Sequence, residues 1–140
     1  MQWSSEARHS GERQLLASLN LAQPVLVTDQ NQRTVAVNRE WESMCRYSAA
    51  EAFGKTPGAL LQGPLTNRDV ATDFSLRVRG GRSAFASVVN YKKDGTVFAN
   101  HIFGYAIGDL LLAETYAEHG FESDMKASRA VFFDGAPGRE

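Results

Sequence analysis

Two carboxamides stand at positions where a strand would bury them. Asn90 falls near the end of Ala84-Phe85-Ala86-Ser87-Val88-Val89-Asn90-Tyr91, and Asn100 falls within the run Thr96–Ile107. Side chains along a strand alternate between its two faces. Val88 and Asn90 therefore share one face of the first run, and Phe98, Asn100 and Ile102 share one face of the second. Asparagine is a poor strand former, and a buried amide is costly without partners. Two of them on an apolar phase want a reason. A heteroaromatic ligand with adjacent donors and acceptors on its ring edge would match the carboxamide N–H and C=O groups. Backbone groups or ordered water would satisfy the same atoms, and the residues by themselves leave both readings open.

Other kinds of chemistry find less support. His9, His101 and His119 lie far apart with no metal-ligand spacing, and surface or packing roles suit them better. The single Cys45 rules out an internal disulfide and a multi-cysteine metal site. Lys92-Lys93 and Arg77, Arg79 and Arg82 read as a solvated turn and a solvated helix end, with contact to a ligand phosphate as the sharper alternative. No phosphate-binding GKS/T loop, HExxH helix or nucleophile elbow occurs, and no nucleophile–base pair can be read, so no enzyme is expected. The formal net charge of -1 offers no global basic field for nucleic acid or an anionic membrane. No apolar run approaches the roughly 20 residues that span a bilayer. The N-terminus has no apolar segment of signal-peptide type, and a cytoplasmic protein is expected.

These side chains must be held by a domain of ordinary size, since the chain has 140 residues with 43% apolar and 22% charged. Leu15, Leu16, Leu19 and Leu21 form one stripe of a short helix over Glu12–Leu21, ended by Pro24. Val25–Thr28 and Thr34–Val37 flank a polar turn and read as a hairpin. Asn38 can cap a helix carrying Trp41, Met44 and Cys45, with Trp41 in the core, and Ser48-Ala49-Ala50-Glu51 is a capping box. Residues 54–66 are a Gly/Pro-punctuated connector around Leu60-Leu61. After Thr66, a candidate N-cap, Val70, Phe74, Leu76 and Val78 suggest a helix that stops at Gly80-Gly81. Three strands follow: Ser83–Tyr91, Thr96–Ile107 after an Asp94-Gly95 turn, and Leu110–Tyr116 after Gly108-Asp109. Strand, strand, short helices and three strands make an α+β domain: an antiparallel five-stranded sheet with helices over one face. The expected division is a tail and cap helix over 1–22, a core over 23–117, and a helix or flexible tail over 118–140.

Several strings in this order resemble the PAS family, and within it the flavin-binding light–oxygen–voltage (LOV) branch. Asn38-Arg39-Glu40-Trp41 with Arg46-Tyr47-Ser48 resembles the family's "N-x-x-F … G-Y-S". Leu61-Gln62-Gly63-Pro64 with Thr66 resembles "LQGP-x-T", and Asn90–Thr96 with Phe98-Ala99-Asn100 resembles "NYRKDGTPFWN". The likeness spans about residues 24–116. It implies the PAS fold, FMN or FAD as cofactor, and Asn90 and Asn100 bonded to the polar edge of the isoalloxazine ring. Leu61, Gln62 and Phe98 join them as cofactor-binding positions, and Glu114 aligns with the family's state-sensing glutamine. An ionised carboxylate beside flavin would be costly, so a raised pKa or a different ligand would follow; a Glu114 facing solvent is the other reading.

The likeness has a gap where the LOV photocycle needs a thiol. The family's "GRNCRFLQG" corresponds to Gly54–Gly63, one residue longer and without cysteine. Counting from the first glycine puts Pro57 at the cysteine position, and counting back from Leu61-Gln62-Gly63 puts Gly58 there. The arginine that follows the family cysteine and holds the flavin phosphate is missing too. A thiol on another helix does not count as near. The implied function is a sensory module with noncovalent flavin, responding to light or redox state without a cysteinyl adduct. A homodimer through the N-terminal helix or the sheet face is also expected, because a helix of under about 12 residues needs something to pack against. The rival is a ligand-free interaction module that dimerises or docks a partner through the sheet.

Overall fold

A polar turn closes the first hairpin. Asp29 Oδ1 accepts from the amides of Asn31 at 2.8 Å and Arg33 at 2.9 Å, which joins β1 (Val25–Thr28) to β2 (Thr34–Val37). The computed structural model describes residues 17, 19–120 and 129–132, the last four by their backbone. The remaining elements are α1 (Arg39–Cys45), α2 (Ala49–Ala52), α3 (Pro57–Leu61), α4 (Arg68–Arg79), β3 (Ala84–Tyr91), β4 (Val97–Ile107), β5 (Leu110–Glu118) and β6 (Arg129–Phe132). The sheet is antiparallel in the order β2-β1-β5-β4-β3-β6. Its first five members are the expected strands. The sixth is a difference: part of 118–140, expected as helix or tail, pairs with β3 from Ala84↔Phe132 to Ser87↔Arg129. A free β3 edge offers unpaired backbone groups, and a β-branched, aromatic segment such as Arg129–Phe132 suits it.

Caps decide where the short helices start. Asn38 Oδ1 accepts from Trp41 N at 2.9 Å and from Val25 N at 2.9 Å, while its Nδ2 donates to Gln23 O at 2.8 Å. One side chain thus caps α1 and fastens the chain ahead of β1. Ser48 and Glu51 form the expected capping box on α2. The α4 cap is Asn67, which accepts from Val70 N, rather than Thr66. Thr66 is instead buried, with its hydroxyl donating to Val89 O at 2.6 Å and accepting from Gly63 N. Asp94-Gly95 turns β3 into β4 with Gly95 at φ +90°, and Lys93 pairs there with Glu51 across the surface.

Alternation divides the sheet. Leu26, Phe98 and Leu61 pack with Trp41, Met44 and Cys45 under the helices. Val25, Val27, Ile107 and Leu112 make a separate cluster on the opposite face, with Leu19 against it. Leu15 and Leu16, on which the dimer expectation turns, lie outside the described residues. Helix α4 lies on the inner face through Phe74 and Val78, against Ala84 and Leu111. Gly104 permits that approach, since a Cβ there would sit 2.6 Å from Phe74 Cζ and 2.9 Å from Val78 Cγ2. Gly104→Ala is expected to cost about 1–3 kcal/mol through overpacking, measured by urea denaturation. An unchanged midpoint would show that α4 lifts freely.

Candidate functional site

A cavity of about 150 Å³ lies between the inner sheet face and helices α3 and α4. A space of that size in an engineered protein core takes up benzene. Its sheet wall includes Leu26, Val88, Asn90, Asn100, Ile102 and Thr115, while Pro57, Gly58, Leu61 and Gln62 close it from the α3 side. A second cleft of about 150 Å³ shares Gln32, Gln62, Ala71 and Ser75 with it and adds Thr72, Leu76 and Arg79. The two spaces share a polar margin. The inner space carries Asn90, Asn100, Thr28 and Thr115 among apolar side chains; the outer cleft adds the Thr72 hydroxyl and the Arg79 cation.

The amides face each other across β3 and β4. Asn100 Nδ2 donates to Asn90 Oδ1 at 2.9 Å, and Asn90 Nδ2 donates to Val89 O at 3.0 Å. They are 2% and 4% exposed, respectively. Asn100 Oδ1 is buried with no hydrogen-bond partner among the described residues. A buried acceptor without a donor is unfavourable, by about 1–3 kcal/mol, and it sits on the wall of the cavity. A ligand bearing a ring N–H would satisfy it. Gln62 is oriented from outside, its Oε1 accepting from Arg68 Nη1 at 2.9 Å.

Two of the residues expected here lie elsewhere. Glu114 is on the other face of the sheet, where it accepts from Gln23 Nε2 at 3.0 Å and from the Tyr105 hydroxyl at 2.6 Å. The expected position is off by one residue, and in a strand one residue exchanges the faces. Thr115, 4% exposed, takes the inward place. Among the described residues, no carboxylate therefore lines the cavity. Phe98 is fully buried in the core beside Trp41, Cys45 and Leu61, its ring stacked on His119 at 5.9 Å, and it does not line the cavity.

Thr115 was within reach of the sequence. Gly108-Asp109 is a two-residue turn with Ile107↔Leu110 paired, and counting back along that register puts Thr115 opposite Ile102. Thr28, Gln32 and Ser75 also line the space and carried no such signal.

Cys45 does not line the cavity. Its Sγ donates to Trp41 O at 3.2 Å, and burial pushes the thiol from 9.0 up to about 11. A thiol held neutral in a packed core is a poor nucleophile. On the outer face, Ser87 Oγ meets His101 Nδ1 at 2.7 Å and His101 Nε2 meets Glu118 Oε1 at 2.8 Å. This hydroxyl–imidazole–carboxylate chain links β3, β4 and β5, and neither cleft reaches it. No group of three or more His, Cys, Asp or Glu residues that could hold a metal ion occurs among the described residues. Among the same residues, no helix is long and apolar enough to cross a membrane.

An antiparallel sheet with short helices over one face and a cavity between the layers is the PAS arrangement. The PAS fold model matches residues 13–109, well over half of the chain, and the chain belongs to the PAS family. Among solved structures, it is similar to the LOV domain of the blue-light activated histidine kinase of Erythrobacter litoralis EL346. That match has a TM-score of 0.65 and 22% identity, and covers 70% of this chain and 97% of that one. A Rhodobacter sphaeroides LOV protein matches with a TM-score of 0.70 and 18% identity, over 81% of this chain and 70% of its own. The light-state Aureochrome1 LOV domain matches at 0.64 and 22%, over 81% and 95%.

Proposed function

We propose that this PAS domain is a sensor that holds a flavin noncovalently in the inner cavity and signals without a cysteinyl adduct. The observation that carries the reading is Asn100 Oδ1, buried with no hydrogen-bond partner among the described residues, on the wall of the inner cavity. An isoalloxazine edge offers one N–H donor between two carbonyl acceptors, and the Asn90–Asn100 pair offers amide groups of both kinds beside it. With Glu114 turned away, no carboxylate among the described lining residues opposes the ring carbonyls. Leu26, Val88 and Ile102 would hold its apolar body, and Gln32, Thr72, Ser75 and Arg79 would meet its polar tail in the outer cleft. Structural neighbours of LOV type, one of them studied with a flavin analogue, support the choice of ring. The flavin supplies reversible photoreduction or redox chemistry; the protein supplies orientation, a dry wall and a route outward.

The test is titration of the protein with FMN, followed by absorption and flavin fluorescence, in darkness and under blue light. Saturable binding with quenched or shifted flavin spectra is expected. Illumination is expected to give no thiol–flavin adduct band, because Pro57 and Gly58 stand where the family cysteine does and Cys45 is packed elsewhere. Absence of saturable binding by FMN, FAD and riboflavin would instead favour the ligand-free interaction module.

A further inference from the structure

The turn between β1 and β2 holds a glutamine where its backbone suits glycine. Asp29 N donates to Arg33 O at 2.9 Å and Gln32 N to Asp29 O at 3.0 Å, which closes the loop Gln30-Asn31-Gln32. A hairpin loop of this kind turns its last residue into the left-handed region, where glycine or asparagine is the usual occupant. Gln32 sits there at φ +64°, and Asn31 stands one position too early to relieve it. The backbone is held in that shape. Asp29 Oδ1 accepts from the amides on either side of Gln32, Gln30 Nε2 donates to Asp109 O at 3.2 Å, and Arg33 Nη1 donates to Gly54 O at 3.1 Å. The turn is thus anchored to the β4–β5 turn and to the residues after α2.

The strained residue is also the one that reaches the cavity. Asn31 and Arg33 are exposed, whereas Gln32 is half-buried and borders both the inner cavity and the outer cleft. The hydrogen bond that it makes within the described residues comes from its backbone N, which leaves the side-chain amide for what the cavity holds. Gln62 borders the same two spaces, and with its Oε1 taken by Arg68 it offers Nε2. Arg79 lines the outer cleft and not the inner cavity.

We infer that Gln32 is a specificity-determining residue: together with Gln62, it binds the hydroxylated chain of the flavin where that chain passes from the inner cavity to the outer cleft. The inference rests on the cavity reading above and adds to it a selection among flavins. A primary amide both donates and accepts, and so does each hydroxyl of a polyol, so two neutral amides suit the chain better than a phosphate, which calls for cations. Asn90 and Asn100 meet the ring edge, which every flavin shares. Gln32 meets a part that lumiflavin, with a methyl group in place of the chain, lacks. Glycine at this position would relieve the turn and leave nothing to hold the chain. Folding stability and ligand selection are therefore set against each other at one residue.

Fluorescence titration of the full chain with riboflavin and with lumiflavin tests this, alongside thermal melts without ligand, in wild type, Gln32→Gly and Gln32→Met. Wild type should bind riboflavin about tenfold more tightly than lumiflavin, the worth of one or two ordinary hydrogen bonds. Both variants should lose that preference by weaker binding of riboflavin, with lumiflavin unchanged. Gln32→Gly should melt at a higher temperature than wild type, because glycine takes the left-handed place without strain; Gln32→Met keeps the strain and should not. Lost affinity with gained stability is a pair of signs that damage to the turn would not produce. The role of Gln32 is overturned, with the cavity reading left standing, by any of three results: no preference for riboflavin in wild type, a preference that survives in Gln32→Gly, or a lower melting temperature in Gln32→Gly. Failure of wild type to bind either flavin overturns both.

Discussion

Retention of flavin is expected to fall at least tenfold in Asn100→Ala, and further when Asn90→Ala is added. Asn100 Oδ1 is a buried acceptor with no partner among the described residues, so its bond to a ring N–H would be made only on binding. Deleting it leaves that N–H buried and unsatisfied, at a cost of about 1–3 kcal/mol, which converts to roughly tenfold or more in Kd. The two asparagines differ in what they do for the empty protein. Asn90 Oδ1 already accepts from Asn100 Nδ2, so Asn90→Ala also strips a partner from a buried amide. Asn100→Ala in turn leaves Asn90 Oδ1 without its donor but also removes the orphaned oxygen, so both variants should lower thermal stability, Asn100→Ala the less, and both should lower affinity. Fluorescence titration with FMN, alongside thermal melts without ligand, separates the two. An unchanged Kd in the folded double variant would place the ring edge elsewhere and sink the orientation proposed for it.

The second expected result is a light-driven covalent adduct in Gly58→Cys loaded with FMN, where the wild type gives none. Gly58 lines the cavity, and the nearest atoms to a Cβ built on it belong to the Gln62 side chain, with Cδ and Nε2 at 3.3 Å. That neighbour is the far end of a flexible chain, so a cysteine can be received with a small adjustment. Proximity is what the natural Cys45 lacks, and proximity is what the substitution supplies. Blue light should bleach the visible flavin band in Gly58→Cys, with recovery in darkness. Gly58→Ser should bind FMN and show no bleaching of that kind. Pro57→Cys tests the other count along this segment, since Pro57 also touches the cavity but occupies the first turn of α3, where its ring fits. Adduct formation in Pro57→Cys and not in Gly58→Cys would reverse the alignment. If neither forms one with FMN bound, the ring does not lie against α3.

Much of the fold was legible because its signals are local. The hairpin turns, the Asn38 cap, the Ser48–Glu51 box and the period-two runs each draw on residues within a few positions of one another, and the five-strand α+β order follows from them. The two asparagines were legible for the same reason, since alternation within β3 and β4 needs only a phase. Glu114 shows where counting fails. Its phase depends on the register of β5 against β4 and β1, and taking it from a family pattern instead of from the Gly108-Asp109 turn exchanged the faces. Phe98 shares the inward phase of Asn100, but only packing separates a side chain that fills the core from one that borders a space.

By itself the sequence determined β1 to β5, the helices α1, α2 and α4, the inward phase of Asn90 and Asn100, and the absence of a thiol from residues 54–63, which it read as a connector and in which the structure has α3. Each is a property of residue type and short-range period. Tertiary structure alone decided that β6 completes the sheet beside β3, that Phe98 fills the core while Asn100 borders a space, and that Asn100 Oδ1 is left without a donor among the described residues. Those depend on which distant segments meet and on the volume left between them, and no local pattern encodes either.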